Sequence, residues 1–250
     1  EMHRRWFESH ISKFNVKYLN RSDDFHGVSI AGPKSRDVFQ KLVREDISNK
    51  NFKFRDIRRM FVAGVPAIVN RISFTGELGY EIYVAPHFQL KLYEEIESVG
   101  KEFGLKPFGN RALMSMRLEK NWGAWALDFR PDFTPKESGL DIFINWKKDF
   151  IGKKSAEKDK SNLKLTTMVV ETKDIDATNN EAVMKDGKSV GYVTSGGYAH
   201  YVKKSIAYSY LEEKIIKTNE KLKIEINGNF YDCYTINQPL YDPEGKKMRS

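Results

Sequence analysis

Cysteine is nearly missing from this 250-residue sequence, with Cys233 standing alone. One thiol cannot close an internal disulfide, so the fold must be held without covalent cross-links, as suits a reducing compartment. The expected location is the cytoplasm, or the mitochondrial matrix once a targeting segment has been removed, because the sequence starts at Glu1 rather than at a methionine. No apolar run approaches the roughly 20 residues of a membrane-crossing helix, and no signal-like start is present, so no membrane partner is expected.

Other site types are also missing. His3, His10, His26, His87 and His200 have neither paired helical spacing nor cysteine partners, so no metal site is expected. Gly32-Pro33-Lys34-Ser35 lacks the earlier glycine of a phosphate-cradling loop. The Gly76 and Gly79 pair precedes a strand-like run rather than a helix, so it is no dinucleotide fingerprint. No serine sits in a nucleophile elbow. The formal net charge of +8 invites a nucleic-acid reading. Its lysines, however, are dispersed in short clusters such as Lys147-Lys148 and Lys246-Lys247, without interleaved aromatics. That pattern describes a solvated surface, and no nucleic-acid partner is expected.

What is present is enough apolar residue, 40% of the chain, to build a sizeable core in two lobes. Trp6, His10, Ile11 and Phe14 fall at helical spacing within residues 2–14. Gly27–Ala31 reads as a strand leading to Gly32-Pro33, with a helix opened by the proline and buried through Val38, Phe39, Leu42 and Val43. Strands are predicted over 57–62, 66–74 and 80–84. A long helix from Pro86 should turn Leu90, Tyr93, Ile96, Val99 and Phe103 inward and stop near Gly104, and another helix covers about 110–120.

This order predicts an α+β fold, an antiparallel sheet with helices on one face, over a domain of residues 1–155. The lysine-rich stretch 153–164 reads as a linker. Six short β segments follow, over 165–171, 182–185, 189–194, 205–210, 222–226 and 230–236. Asp186-Gly187 and Asn227-Gly228 are hairpin turns between them. Residues 156–250 are thus predicted to form a C-terminal β-barrel or jelly roll.

The most informative stretch is Arg71-Ile-Ser-Phe-Thr-Gly-Glu-Leu-Gly-Tyr-Glu-Ile-Tyr83. It reads as two strands pinched around a glycine turn, with Glu81 among apolar and aromatic neighbours. A carboxylate there needs hydrogen-bond donors. Backbone amides would supply them if the residue is structural, and a polar heterocycle would if it is a ligand contact.

Six ordered motifs carry a resemblance. They are Ile30-Ala-Gly-Pro-Lys-Ser-Arg36, Phe74-Thr-Gly-Glu-Leu-Gly-Tyr-Glu81, Arg117-Leu-Glu-Lys120 with Trp122 and Trp125, Thr134-Pro-Lys-Glu-Ser-Gly-Leu140, Asp149-Phe-Ile-Gly-Lys153 and Val193-Thr-Ser-Gly-Gly-Tyr198. Together they resemble the folate-binding aminomethyltransferase family, which includes glycine-cleavage T-protein and the C-terminal halves of dimethylglycine and sarcosine dehydrogenases. The match runs from about Trp6 to Tyr241. Leu-Gly-Tyr-Glu81, the Arg117 motif and Lys204-Ser-Ile-Ala-Tyr208 are most similar to the dehydrogenase branch.

The resemblance implies tetrahydrofolate binding and capture of a one-carbon unit from an N-methylated amine, with 5,10-methylene-tetrahydrofolate as product. It implies FAD in a domain outside this chain, which oxidises the amine. It places Glu81 on the pterin, Phe74 and Trp122 as walls of the folate site, and Tyr80 and Arg117 in the same motifs. Core packing is the alternative for Tyr80 and Trp122, and an ion pair with Glu119 or Glu77 the alternative for Arg117. Lys247 and Arg249 lie where a basic group would meet the glutamate tail. The family's catalytic aspartate is expected to precede Glu1, which leaves no catalytic residue to name here. The partner implied is therefore the missing N-terminal segment or flavin domain. Phe74 stands where the family usually has tyrosine, Leu113 replaces an arginine of T-proteins, and Ile142 replaces an aromatic. These departures leave open a standalone aminomethyltransferase or demethylase, or a non-catalytic folate-binding protein.

Overall fold

The computed structural model describes residues 2–216 and 221–250. The chain divides into two units, one comprising Glu1–Ile72 and Leu78–Lys106 and the other Ser73–Glu77 and Pro107–Ser250. Among the described residues no helix is long and apolar enough to cross a membrane.

The first unit begins with helix α1 (Met2–His10), which continues as a short 3-10 turn and buries no residue. Trp6 and Phe14 of the predicted stripe are both largely exposed. Then come β1 (His26–Ala31), α2 (Ser35–Gln40), β2 (Ile57–Val62), β3 (Val65–Asn70), β4 (Gly79–Val84) and α3 (Gln89–Gly100). Helix α2 starts two residues after Pro33, so the proline shapes the turn before the helix rather than its first position. The four strands form an antiparallel sheet in the order β1-β4-β3-β2. Alternation along β3 and β4 sends Val65, Ala67, Val69, Tyr80, Ile82 and Val84 to one face. There they join Phe39 of α2 and Leu92 and Ile96 of α3 in one core.

Helix α3 turns Ile96, Val99 and Phe103 toward the core as expected, but Leu92 takes the inward place assigned to Leu90 and Tyr93. Leu90 and Tyr93 are exposed, whereas Leu92 and Ile96 are buried and Val99 and Phe103 pack beside them. Both stripes are apolar, so periodicity alone could not choose between them. Leu92, Ile96, Val99 and Phe103 at i, i+4, i+7 and i+11 form the continuous row that meets the sheet.

The second unit carries α4 (Asn110–Glu119), α5 (Lys153–Glu157), β5 (Leu163–Val170), β6 (Ala182–Lys185), β7 (Lys188–Ala199), β8 (Lys204–Glu212), β9 (Lys221–Ile226), β10 (Asn229–Ile236) and α6 (Lys246–Arg249). The stretch read as a linker contains α5, and β5 already begins at Leu163. The six strands close an antiparallel barrel in the order β10-β5-β8-β7-β6-β9. Both predicted hairpin dipeptides make their turns, with φ of 50° and 74° at Asp186-Gly187 and 51° and 79° at Asn227-Gly228. Two consecutive positive φ values match the right-handed twist of the flanking strands. Met168, Val170, Val193, Leu211, Ile224 and Cys233 fill the barrel. On its outside, Leu118 of α4 packs with Ile206 and Tyr208 of β8.

The shift of stripe in α3 is directly measurable. Leu92→Ala removes a fully buried side chain and should cost about 2–5 kcal/mol in a urea melt. Leu90→Ala should stay within about 0.5 kcal/mol. Equal losses in the two variants would put the buried face back where periodicity alone placed it.

Candidate functional site

In the first unit, Tyr80 and Glu81 are neighbours on β4 whose side chains leave opposite faces of the sheet. Tyr80 is fully buried, 4.6 Å from the Phe39 ring and 6.0 Å from Phe52 between centroids. Its hydroxyl accepts from Arg36 Nε at 3.3 Å, and burial raises its pKa. Glu81 is half-buried on the other face, with Ser29 of β1 and Asn70 of β3 as its cross-strand neighbours.

Backbone amides do not satisfy the Glu81 carboxylate. The donor is the Tyr83 phenol, which reaches Oε2 at 2.5 Å. Burial, then the bond to Glu81 and its charge, pushes the Tyr83 phenol up to about 12, so it stays a donor at neutral pH. Among the described residues Glu81 has no other hydrogen-bond partner and no cation. A carboxylate offers about four lone-pair sites, so most of its accepting capacity is unspent.

The second unit contains a cavity of about 720 Å³. Phe74, Trp122 and Phe129 supply aromatic surface, and Ser138, Thr166, Thr167 and Thr235 supply hydroxyls. The Phe74 and Trp122 rings stack at 6.5 Å with 25° between their planes.

Trp122 is fixed by the end of α4. The Asn121 amide donates to Leu118 O at 3.1 Å and the Trp122 amide to Arg117 O at 3.1 Å, with Asn121 at φ 55°. That is a left-handed helix cap of the Schellman kind. Arg117 also donates from NH1 to Trp122 O at 3.0 Å, so it holds both backbone groups of the tryptophan.

Arg117 is 1% exposed and pairs with Asp128 at 2.7 Å, not with Glu119 or Glu77. Asp128, with no exposed surface, accepts further bonds from Ala124 N, Thr194 Oγ1 and Ser195 Oγ. Its partners saturate it, in contrast to Glu81. Glu119 instead accepts from the amides of Tyr201 and Val202.

A second network holds the turn that bears Phe74. Gly76 has φ 83°, and a Cβ there would lie 2.3 Å from Lys120 Cγ, so the glycine makes room for the lysine stem. Lys120 Nζ, 3% exposed, then donates to Asp242 O at 2.6 Å. The Tyr241 hydroxyl donates to Glu77. Lys247 Nζ lies 4.6 Å from the centre of the Tyr241 ring.

Of the residues singled out in the sequence, Phe74, Trp122 and Arg117 therefore come together in the second unit, and Tyr80 and Glu81 share one strand of the first. Asp128, Lys120, Thr166 and Tyr241 were not singled out. Lys120 lies inside the Arg-Leu-Glu-Lys motif and could have been found there. Asp128 and Thr166 carry no local signal.

Comparison with known proteins places these features in a family. Residues 1–148 match the family described as GCVT N-terminal domain, and residues 164–242 match the glycine cleavage T-protein C-terminal barrel domain. The chain is 35% identical over 252 residues to the mitochondrial dimethylglycine dehydrogenase of Homo sapiens, covering 98% of this chain and 29% of that protein. It is 31% identical over 248 residues to the aminomethyltransferase of Thermoanaerobacter pseudethanolicus, covering 97% of this chain and 67% of that one. The crystal structure of the glycine cleavage system aminomethyltransferase T from Bartonella henselae superposes with a TM-score of 0.64 over 71% of this chain and 50% of that chain. At 22% identity that likeness speaks to the fold.

The buried pair makes a prediction of its own. Asp128→Ala leaves the Arg117 cation unpaired in a dry interior and should cost about 3–5 kcal/mol. Replacing both residues, Arg117→Met with Asp128→Leu, should recover much of that loss in the same chemical denaturation experiment. A double variant as unstable as Asp128→Ala would show that packing, not the stranded charge, sets the cost.

Proposed function

The chain belongs to the glycine cleavage T-protein (aminomethyltransferase) family, and on that footing we propose that it binds tetrahydrofolate as part of a dimethylglycine- or sarcosine-dehydrogenase-like protein. The reaction proposed is transfer of a one-carbon unit from an N-methylated amine, giving 5,10-methylene-tetrahydrofolate and the demethylated amine. A flavin held outside this chain would supply the oxidation of the amine, and the folate nitrogen would supply the nucleophile.

The observation that carries this reading is the state of Glu81. Its carboxylate stands half-buried on the face of β4 away from the core, oriented by one phenol and otherwise unspent. A pterin edge presents an amino group and a ring N–H side by side, and a carboxylate accepting both makes a charge-assisted pair of bonds. Tyr83 fits this role by fixing the carboxylate through one oxygen while leaving the other to accept. In the second unit, the aromatic surface of Phe74 and Trp122 suits a flat ring.

What these residues contribute to rate is position. Holding a nucleophile and an electrophilic carbon at reacting distance supplies effective concentrations that no side-chain acid or base is needed to create. Arg117 enters through Trp122, whose backbone it clamps, and Tyr80 enters through the core that backs β4.

Titrating tetrahydrofolate into the protein, wild type against Glu81→Gln, tests the reading. The substitution keeps the shape and removes the charge. Affinity should fall tenfold or more, about 1.4 kcal/mol. Wild-type protein that does not bind tetrahydrofolate would overturn the assignment.

A further inference from the structure

Three residues of the Arg117-Leu-Glu-Lys120 motif gather around one row of aromatic rings. Arg117 clamps the backbone of Trp122. Glu119 holds two tyrosines, its carbonyl accepting from the Tyr241 amide at 3.2 Å and its carboxylate from the Tyr201 amide at 2.7 Å. Lys120 then stands between rings that its neighbours have placed. Its Nζ is 5.8 Å from the centre of the Trp122 ring and 5.9 Å from that of Tyr241.

The alternation continues outward. Lys247 Nζ lies 4.6 Å from the centre of the Tyr241 ring and 5.2 Å from that of Tyr201. The two tyrosine rings meet edge to face at 4.6 Å. Trp122, Lys120, Tyr241, Lys247 and Tyr201 thus form a row in which rings and cations alternate. Attraction between a cation and a ring face strengthens as water is excluded, and this row passes from exposed Tyr201 and Lys247 to buried Tyr241 and Lys120.

Two further ties join the row to the turn that bears Phe74. The Tyr241 hydroxyl donates to Glu77. Burial, then that bond, pushes the phenol up to about 12, which keeps it a donor at neutral pH. The Asp242 carbonyl accepts from Lys120 Nζ, while its carboxylate accepts from the amides of Lys246 and Lys247 at 3.0 and 3.1 Å. One residue therefore fixes both the start of α6 and the lysine stem that fills the space beside Gly76. None of the residues 241–247 is among those lining the cavity of Phe74 and Trp122.

We propose that segment 241–247 is a positioning element for the folate site, setting Trp122 through Lys120 and the turn of Phe74 through Glu77. Lys120, Tyr241 and Lys247 are positioning residues, which fix the two rings that a ligand would meet. The proposal rests on the folate reading for the identity of the ligand, and on the row of rings and cations for the coupling.

The test compares wild type with Lys247→Met, Lys247→Arg and Tyr241→Phe in protein carrying 5-fluorotryptophan. The chain has four tryptophans, so fluorine NMR gives four lines, and Trp122→Phe assigns one of them. Calorimetry reads the binding of two probes, tetrahydrofolate and a tetrahydropterin without the aminobenzoylglutamate arm, and thermal melts read the fold. Lys247 is exposed, so both of its variants should melt with wild type and carry the test even where Tyr241→Phe folds poorly. Lys247→Met keeps the stem and removes the cation. It should move the Trp122 line more than the other three and weaken both probes about threefold or more. Lys247→Arg keeps the cation and should stay within about twofold of wild type. Tyr241→Phe keeps the ring, loses the bond to Glu77 and should weaken both probes by a similar factor. A Trp122 line that stays in place in Lys247→Met overturns the proposal, and so does a moved line with unchanged affinities. Loss for tetrahydrofolate alone also overturns it, because Lys247 would then act directly on the glutamate tail. A moved Trp122 line in a protein whose wild type binds neither probe supports the coupling and overturns the folate reading.

Discussion

The pairing of Arg117 with Asp128 is the interaction on which the second unit turns. Burying either charge alone would cost several kcal/mol, so neither residue can occupy its place without the other. Asp128 meets that demand by collecting Arg117, the Ala124 amide and two hydroxyls from β7 around one carboxylate. In doing so it ties the end of α4, the loop after it and the barrel wall to a single point. The Trp122 backbone hangs from the same guanidinium. A pair of this kind adds little net stability over well-packed apolar residues, but it tolerates few alternative arrangements. Its value here is in fixing where Trp122 stands.

Glu81 shows what the same chemical group does when it is left unfinished. Asp128 has partners for both oxygens and no exposed surface, whereas Glu81 has one phenol and an open face. A saturated carboxylate is a structural part, because any ligand would have to displace bonds already made. An unsaturated one retains its accepting capacity for whatever arrives.

Much of the architecture was legible in the sequence, because it rests on local chemistry. Asp186-Gly187 and Asn227-Gly228 can adopt two positive φ values in a row at little cost, and they set the registers of two barrel hairpins. The stretch 80–84 reads as a strand in sequence, and core packing is the alternative given there for Tyr80, the position it takes in β4. What could not be read was choice among equivalents. Helix α3 offers two apolar stripes, and only the sheet beneath it selects Leu92 over Leu90. Arg117 had two acidic candidates in the motifs, Glu119 two residues on and Glu77 in the glycine turn, yet its partner is eleven residues on, in a loop that α4 and β7 bring to it. The partner of a buried ion is decided by three-dimensional enclosure, and sequence distance says nothing about enclosure.

The same reasoning explains why the overall charge was a poor guide. A formal +8 describes the surface, where Lys147, Lys148 and Lys246 are solvated. The features on which the folate proposal draws are an anion, Glu81, and a cavity whose described lining carries no charge. Specificity built this way depends on what is withheld as much as on what is offered. In the cavity, a neutral lining would leave the desolvation of an entering ion uncompensated. On β4 the logic is reversed, since a lone carboxylate welcomes donors and repels anions.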